Sequence, residues 1–166
     1  MNVKAALKSV GAVSLLLFSI GVCADEQLPK QGTYKGTFGA RAAGTAHELE
    51  KGHVFFVGGF SGVFFNDHSG GFLDKTSVEC PGVADIVNGL DIAGHGYCIV
   101  TDMAGDKACL VWKARDTSPG VGNGEFQWTG GTGKYNCIKG NNTFRFVSIG
   151  NTPGSAVVWE GEWRLP

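Results

Sequence analysis

The sequence predicts an all-β domain, a single antiparallel sheet of eight or nine strands closed into a barrel. Three observations point there. Beyond the N-terminus, no window of about eleven residues keeps a 3.6-residue apolar period without Gly or Pro interrupting it. Short β-prone runs bounded by Gly, Asn, Asp or Ser recur instead. Glycine reaches 27 of 166 residues, against a usual share of about 7%, and no Gly-x-y period makes the chain collagen. Phe (11) and Trp (4) supply enough apolar area to exclude a disordered chain.

A sandwich would also bury one face of each strand, but closure removes exposed edges. Glycine inside a strand is unfavourable except at the bends and bulges of tightly coiled strands. Gly58-Gly59, Gly62 and Gly161 fit that use. An outer-membrane barrel of eight strands matches in size. Against it stand the ending Trp163-Arg164-Leu165-Pro166, which lacks a terminal aromatic, the cysteines, and the absence of paired aromatic girdles.

Residues 1–24 read as an export signal and 25–166 as one β-barrel domain. Lys4 and Lys8 form a positive start, and Val10 to Val22 is an uncharged apolar run. That run falls short of the roughly 20 residues that span a bilayer. Val22-Cys23-Ala24 supplies a cleavage site, so the expected cut follows Ala24; the alternative is a lipoprotein anchored at Cys23. The short segments suggest a bacterial exporter, with a periplasmic or secreted product. Nothing in 25–166 is apolar for long enough to make a membrane-spanning helix.

Strands are expected near 32–39, 43–50, 53–65, 71–79, 95–102, 107–114, 124–130, 141–149 and 155–164. In Val158-Trp159-Glu160-Gly161-Glu162-Trp163, both Trp fall on one face and both Glu on the other. Thr143-Phe144-Arg145-Phe146-Val147 and Glu125-Phe126-Gln127-Trp128 alternate likewise, while His53-Val54-Phe55-Phe56-Val57 is apolar on both faces. Asn66-Asp67-His68-Ser69-Gly70-Gly71 and Asp102-Met103-Ala104-Gly105-Asp106 read as hairpin turns. Pro81–Ala93 is the longest stretch outside the strands, a loop or one short helix. Cys80, Cys98, Cys109 and Cys137 remain after export. An even count in an oxidising compartment favours two disulfides, in any of three pairings. No Cys-x-x-Cys exists to suggest zinc.

The segment Trp128-Thr129-Gly130-Gly131-Thr132-Gly133-Lys134-Tyr135-Asn136-Cys137-Ile138-Lys139-Gly140 resembles the glycine-rich turn of dirigent proteins and of bacterial relatives of allene oxide cyclase. The resemblance implies a calycin- or dirigent-like eight-stranded barrel with a mostly apolar cavity. Tyr135 and Ile138 would pack against the barrel end. Such turns usually carry a small residue at the position of Cys137. The resemblance therefore implies a partner for it, with Cys109 the natural candidate, and leaves Cys80–Cys98 to staple the Pro81–Ala93 loop to the wall. No catalytic residue carries over, because no aligned motif accompanies the turn.

Charge is nearly balanced, 14 Lys+Arg against 15 Asp+Glu, which argues against a nucleic-acid partner. No Gly-x-Ser-x-Gly or phosphate-binding loop is present, and no cofactor is implied. His47-Glu48-Leu49-Glu50-Lys51-Gly52-His53 is the densest polar cluster, but it is not His-Glu-x-x-His, and the scattered His53, His68 and His95 suggest no metal site. The cluster reads either as a solvated strand end or as one that puts Glu48 or Glu50 inside the barrel mouth. A carboxylate desolvated there could act as a general acid or base. Glu160 and Glu162 are weaker candidates, lying opposite the Trp face. Most aromatics fill the core, and Phe56, Trp112, Trp128, Phe144 and Trp159 are the candidates to line a pocket. Three functions follow as expectations. The first is binding of a small apolar or aromatic molecule. The second is a cofactor-independent cyclase, isomerase or lyase using a cavity carboxylate. The third is an envelope interaction protein without a cavity. Oligomeric state is not readable from these residues.

Overall fold

The computed structural model describes residues 28–166. The expected signal segment, its cleavage after Ala24 and the alternative anchor Cys23 lie outside the described residues. Nine strands follow one another: β1 Gln31–Glu50, β2 His53–Asn66, β3 Thr76–Val87, β4 Leu90–Asp91, β5 His95–Thr101, β6 Lys107–Ser118, β7 Val121–Gly131, β8 Asn141–Ser148 and β9 Gly154–Arg164. Every pairing is antiparallel. The order β2-β1-β9-β8-β7-β6-β5-β3 is sealed by a further β2–β3 pairing, so eight strands form a ring and the two-residue β4 hangs on the end of β3. This is the closed barrel that the resemblance of the Trp128–Gly140 segment implies.

The inward rows are aromatic and aliphatic. Phe38, Phe64, Val78, Val100, Leu110, Phe126 and Trp159 are all buried. Outward rows carry charge, including the pairs Lys35–Glu160 and Arg115–Glu125. That polarity is the reverse of an outer-membrane barrel, which is apolar outside and polar within. No helix among the described residues is long and apolar enough to cross a membrane.

Several expected boundaries change. The runs 32–39 and 43–50 are one strand of 20 residues, because Ala40-Arg41-Ala42 supplies no turn chemistry. The strand expected at 71–79 starts at Thr76, and residues 67–75 form a loop that folds Phe72 and Leu73 into the interior. Pro81–Ala93 is neither a free loop nor a helix. β3 runs through Pro81 to Val87, and Asn88 (φ +51°) and Gly89 (φ +83°) turn it tightly into β4. Proline removes a ladder donor, and the β3–β5 register passes from Glu79 opposite Ile99 to Gly82 opposite Gly96 with no ladder pair between.

Beside that gap Cys80 and Cys98 form a disulfide, with Cα atoms 4.0 Å apart. It joins neighbouring strands of the wall rather than stapling a loop to it. The second expected bridge does not form: Cys109 and Cys137 are free thiols. Cys109 alternates with the buried Ala108 and Leu110 and so faces outward. Cys137 is exposed on the turn that folds over the barrel end. Tyr135 and Ile138 of that turn are buried, packing the end as the resemblance implies.

The two ends therefore differ. At one end the 67–75 loop and the short 3-10 turn Gly133–Tyr135 close the ring. Phe72 stacks on Trp163 at 4.6 Å and meets Tyr34, Trp128 and Tyr135 edge-on, with centroids 5.0–6.1 Å away. At the other end the connections are the short turns around residues 51–52, 88–89, 119–120 and 149–153, and among the described residues no side chain plugs the ring.

Candidate functional site

The open end leads into a cavity of about 360 Å³ inside the ring. Its floor is the top of the sealed core, Phe38, Leu110, Phe126 and Trp159. Its wall is built from Phe56 and Phe60 on β2, Trp112 on β6, and Phe144 and Phe146 on β8, with the Cys80–Cys98 disulfide on one side. Thr117, Ser118, Ser148 and Asp91 supply the polar lining at the mouth. An apolar concavity with a few polar groups at one edge is the usual form of a small-molecule site.

Glycine decides how the rings sit. A Cβ on Gly82 would come within 2.6 Å of Trp112 Cζ2, and one on Gly96 within 3.0 Å. The indole thus lies flat against two bare backbones. Gly124 leaves the same room under the ring of Phe144. Sequence reasoning assigned the glycines to curvature; here they also set large rings into the wall, which leaves the axis of the barrel open.

The structure brings together Phe56, Trp112, Phe144 and Trp159 around this cavity. Trp128 is elsewhere. It belongs to the sealed end, 5.5 Å from Phe126 and 5.9 Å from Phe72 between ring centroids. Glu48 and Glu50 do not line the cavity either. β9 stops pairing with β1 at Arg41, whereas β2 continues beside β1 to Glu50. The end of β1 therefore overshoots the ring, and residues 43–50 are exposed. Glu160 and Glu162 are outside the cavity, and Glu160 pairs with Lys35 on the outer face at 2.9 Å.

The carboxylate that does line the cavity is Asp91. Its Oδ1 accepts backbone N–H groups of Asp85 (3.2 Å) and Ala93 (3.3 Å), and Thr117 Oγ1 donates to its carbonyl at 2.9 Å. Burial pushes the Asp91 carboxyl above its ordinary value, outweighing the N–H groups of Ala93, Asp85 and Gly94, and the charge of neighbouring Asp85 pushes the same way as burial. Asp85 is itself met by His53, whose Nε2 donates to Asp85 Oδ1 at 2.6 Å. The reading of Pro81–Ala93 as a loop hid Asp91. The Asn88-Gly89 pair, a strong hairpin signal, was the feature that could have revealed it. Phe60, Phe146 and Ile86 also line the wall unforeseen. Among the described residues no group of His, Cys, Asp and Glu could hold a metal ion.

No protein-family model matches the chain, and no curated protein matches it. Among solved structures it is similar to a pterocarpan synthase dirigent protein, at 12% identity and a TM-score of 0.49, over 82% of this chain and 87% of that chain. The barrel stands on its own ladder of strand pairs and not on that likeness.

Proposed function

We propose that this protein binds a small apolar or aromatic molecule in the open half of its barrel. One observation carries the reading: the ring encloses about 360 Å³ walled almost wholly by aromatic and aliphatic side chains, where a solid barrel would be filled by them. The same space speaks against the alternative of an interaction protein without a cavity. The neutral probe N-phenyl-1-naphthylamine tests it. Its emission rises saturably with one site on the native protein, and Ala84→Phe, which fills the cavity from β3, abolishes the rise while circular dichroism stays unchanged. A probe signal that is absent, or indifferent to Ala84→Phe, overturns the proposal.

Asp91 keeps a second reading in play, a cofactor-independent cyclase, isomerase or lyase. The proton-transferring group of such an enzyme would be Asp91 rather than Glu48 or Glu50, since it is the carboxylate at the cavity. Mass spectrometry and NMR of a bound ligand after incubation separate the two: an unaltered ligand means binding, and a product lost in Asp91→Asn means catalysis. We also propose that the barrel works outside the cytoplasm. The signal-like residues 1–24 and the Cys80–Cys98 disulfide support that placement, because such bonds persist in oxidising compartments. N-terminal sequencing of the exported product then begins at Asp25.

A further inference from the structure

We infer that the occupant of the cavity is an organic cation, an aromatic or aliphatic body carrying a protonated amine, held with the amine at Asp91. The inference rests on the cavity being a ligand site and narrows what that site takes. Of the described side chains that line the cavity, Asp91 is the one acid, and no Lys, Arg or His lines it. Asp91 has no basic side chain within ion-pair distance there. Backbone N–H groups of Asp85 and Ala93 reach Oδ1 and that of Gly94 also favours the ionised form, so every donor the carboxylate has among the described residues is a neutral backbone group and none is a cation. A half-buried carboxylate with no cation beside it is a place where an added positive charge gains most, because the carboxylate is already desolvated.

The neighbourhood strengthens the bias. Asp85 lies close enough to Asp91 to raise its proton affinity, but it is held by His53 and does not line the cavity, so a ligand carboxylate entering the mouth would meet Asp91. Like charges at such a contact are strongly discriminated against. Below the mouth, Phe56, Trp112, Phe144 and Phe146 present aromatic rings, and ring faces attract an ammonium as well as the apolar body behind it. Fatty acids and other organic anions are therefore poor occupants and amines good ones.

Calorimetric titration of the folded protein with three naphthalenes of one skeleton tests this: 1-naphthylmethylamine, 1-methylnaphthalene and 1-naphthoate. The amine is expected to bind about tenfold tighter than the hydrocarbon, and the naphthoate more weakly than both. Asp91→Asn, which keeps an oxygen for the backbone donors, should erase the amine's advantage over 1-methylnaphthalene. Equal binding of the amine and the hydrocarbon, a preference for naphthoate, or a preference for the amine that survives Asp91→Asn overturns the inference while leaving the ligand site intact. If none of the three binds to folded protein, the site itself is refuted and the inference falls with it.

Discussion

The two ends of this barrel are made from the same alternating strands, yet one is solid and the other hollow. At the sealed end Tyr34, Phe72, Trp128, Tyr135 and Trp163 are at most 6% exposed and pack ring against ring. At the open end Phe56, Phe60, Trp112, Phe144 and Phe146 are only half-buried around empty space. The difference lies in the loops. The sealed end owns two connections that turn back inward, 67–75 and 132–140, while the open end has short turns that stop at the rim. A hollow half forgoes packing, and that is the half that carries the covalent bond. Cys80–Cys98 lines the cavity, while the thiols at Cys109 and Cys137 stay free.

The largest expected effect is at the sealed end. Trp163→Ala removes a ring that is 4% exposed and stacked on Phe72, and it should cost about 3–5 kcal/mol in urea denaturation. Phe146→Ala, at the cavity wall, opens onto space that already exists and should cost about 1 kcal/mol while weakening N-phenyl-1-naphthylamine binding. Equal costs at the two positions would break the contrast between a packed and an open half. Next in size is the disulfide. Cys80→Ala with Cys98→Ala should cost about 3 kcal/mol by freeing the unfolded chain. Hydrogen exchange should then rise first in β3 and β5, and a rise confined to the sealed end would show that the bridge does not support the hollow half.

Much of this contrast was out of reach of the residues alone. Period-2 alternation placed Trp159 and Trp163 inward and Glu160 and Glu162 outward, as the structure has them, because strand geometry is local. The same alternation puts Trp128 and Phe144 inward with equal force, and it cannot say that one fills a core and the other walls a cavity. That depends on which loops fold back over which end. Glu48 and Glu50 misled for a related reason: a strand pattern does not reveal where the neighbouring β9 stops, and past Arg41 β9 no longer closes the ring beside β1. Asp91 was hidden because Pro81 reads as a strand breaker, yet β3 tolerates it at a gap in the ladder. The disulfide pairing implied by the turn failed at Cys109 because that position faces outward, away from the end that the turn caps.

Acid sharpens the comparison, since the two ends titrate in opposite senses. At the sealed end burial alone would raise Asp102, but Lys134, 2.6 Å away, and the N–H groups of Asp106 and Ala104 outweigh it and hold the carboxyl below 3.8. A lowered folded pKa means its stabilisation is complete above 3.8 and disappears as pH falls through the folded value. At the open end Asp91 is raised, so its ionised form carries a penalty above the folded value that is relieved as pH drops. Lys134→Met should cost about 1–2 kcal/mol at neutral pH by leaving a buried carboxylate without its cation, and it should flatten the acid limb of the stability curve. Asp91→Asn should raise the melting temperature slightly at pH 7 and leave it unchanged well below pH 3.8, where the native carboxyl is also neutral. Matching pH profiles for the two variants would remove the distinction between the ends.

The smallest effect concerns strain in the cap of the sealed end. Cys137 holds φ at +59° on the exposed turn, a left-handed conformation that costs a residue with a Cβ about 1–2 kcal/mol. Cys137→Gly removes that penalty, but glycine also loses more freedom on folding, so the net gain should be about 0.5–1 kcal/mol in the denaturation midpoint. Probe binding at the far end should not change, because the turn packs at the sealed end, with Tyr135 and Ile138 buried there and Lys134 on Asp102. A loss of stability would mean that the Cys137 side chain holds the cap by contact. A change in probe affinity would mean that the two ends are coupled through the floor of Phe126 and Trp159, and the division between a packed half and a binding half would have to be redrawn there.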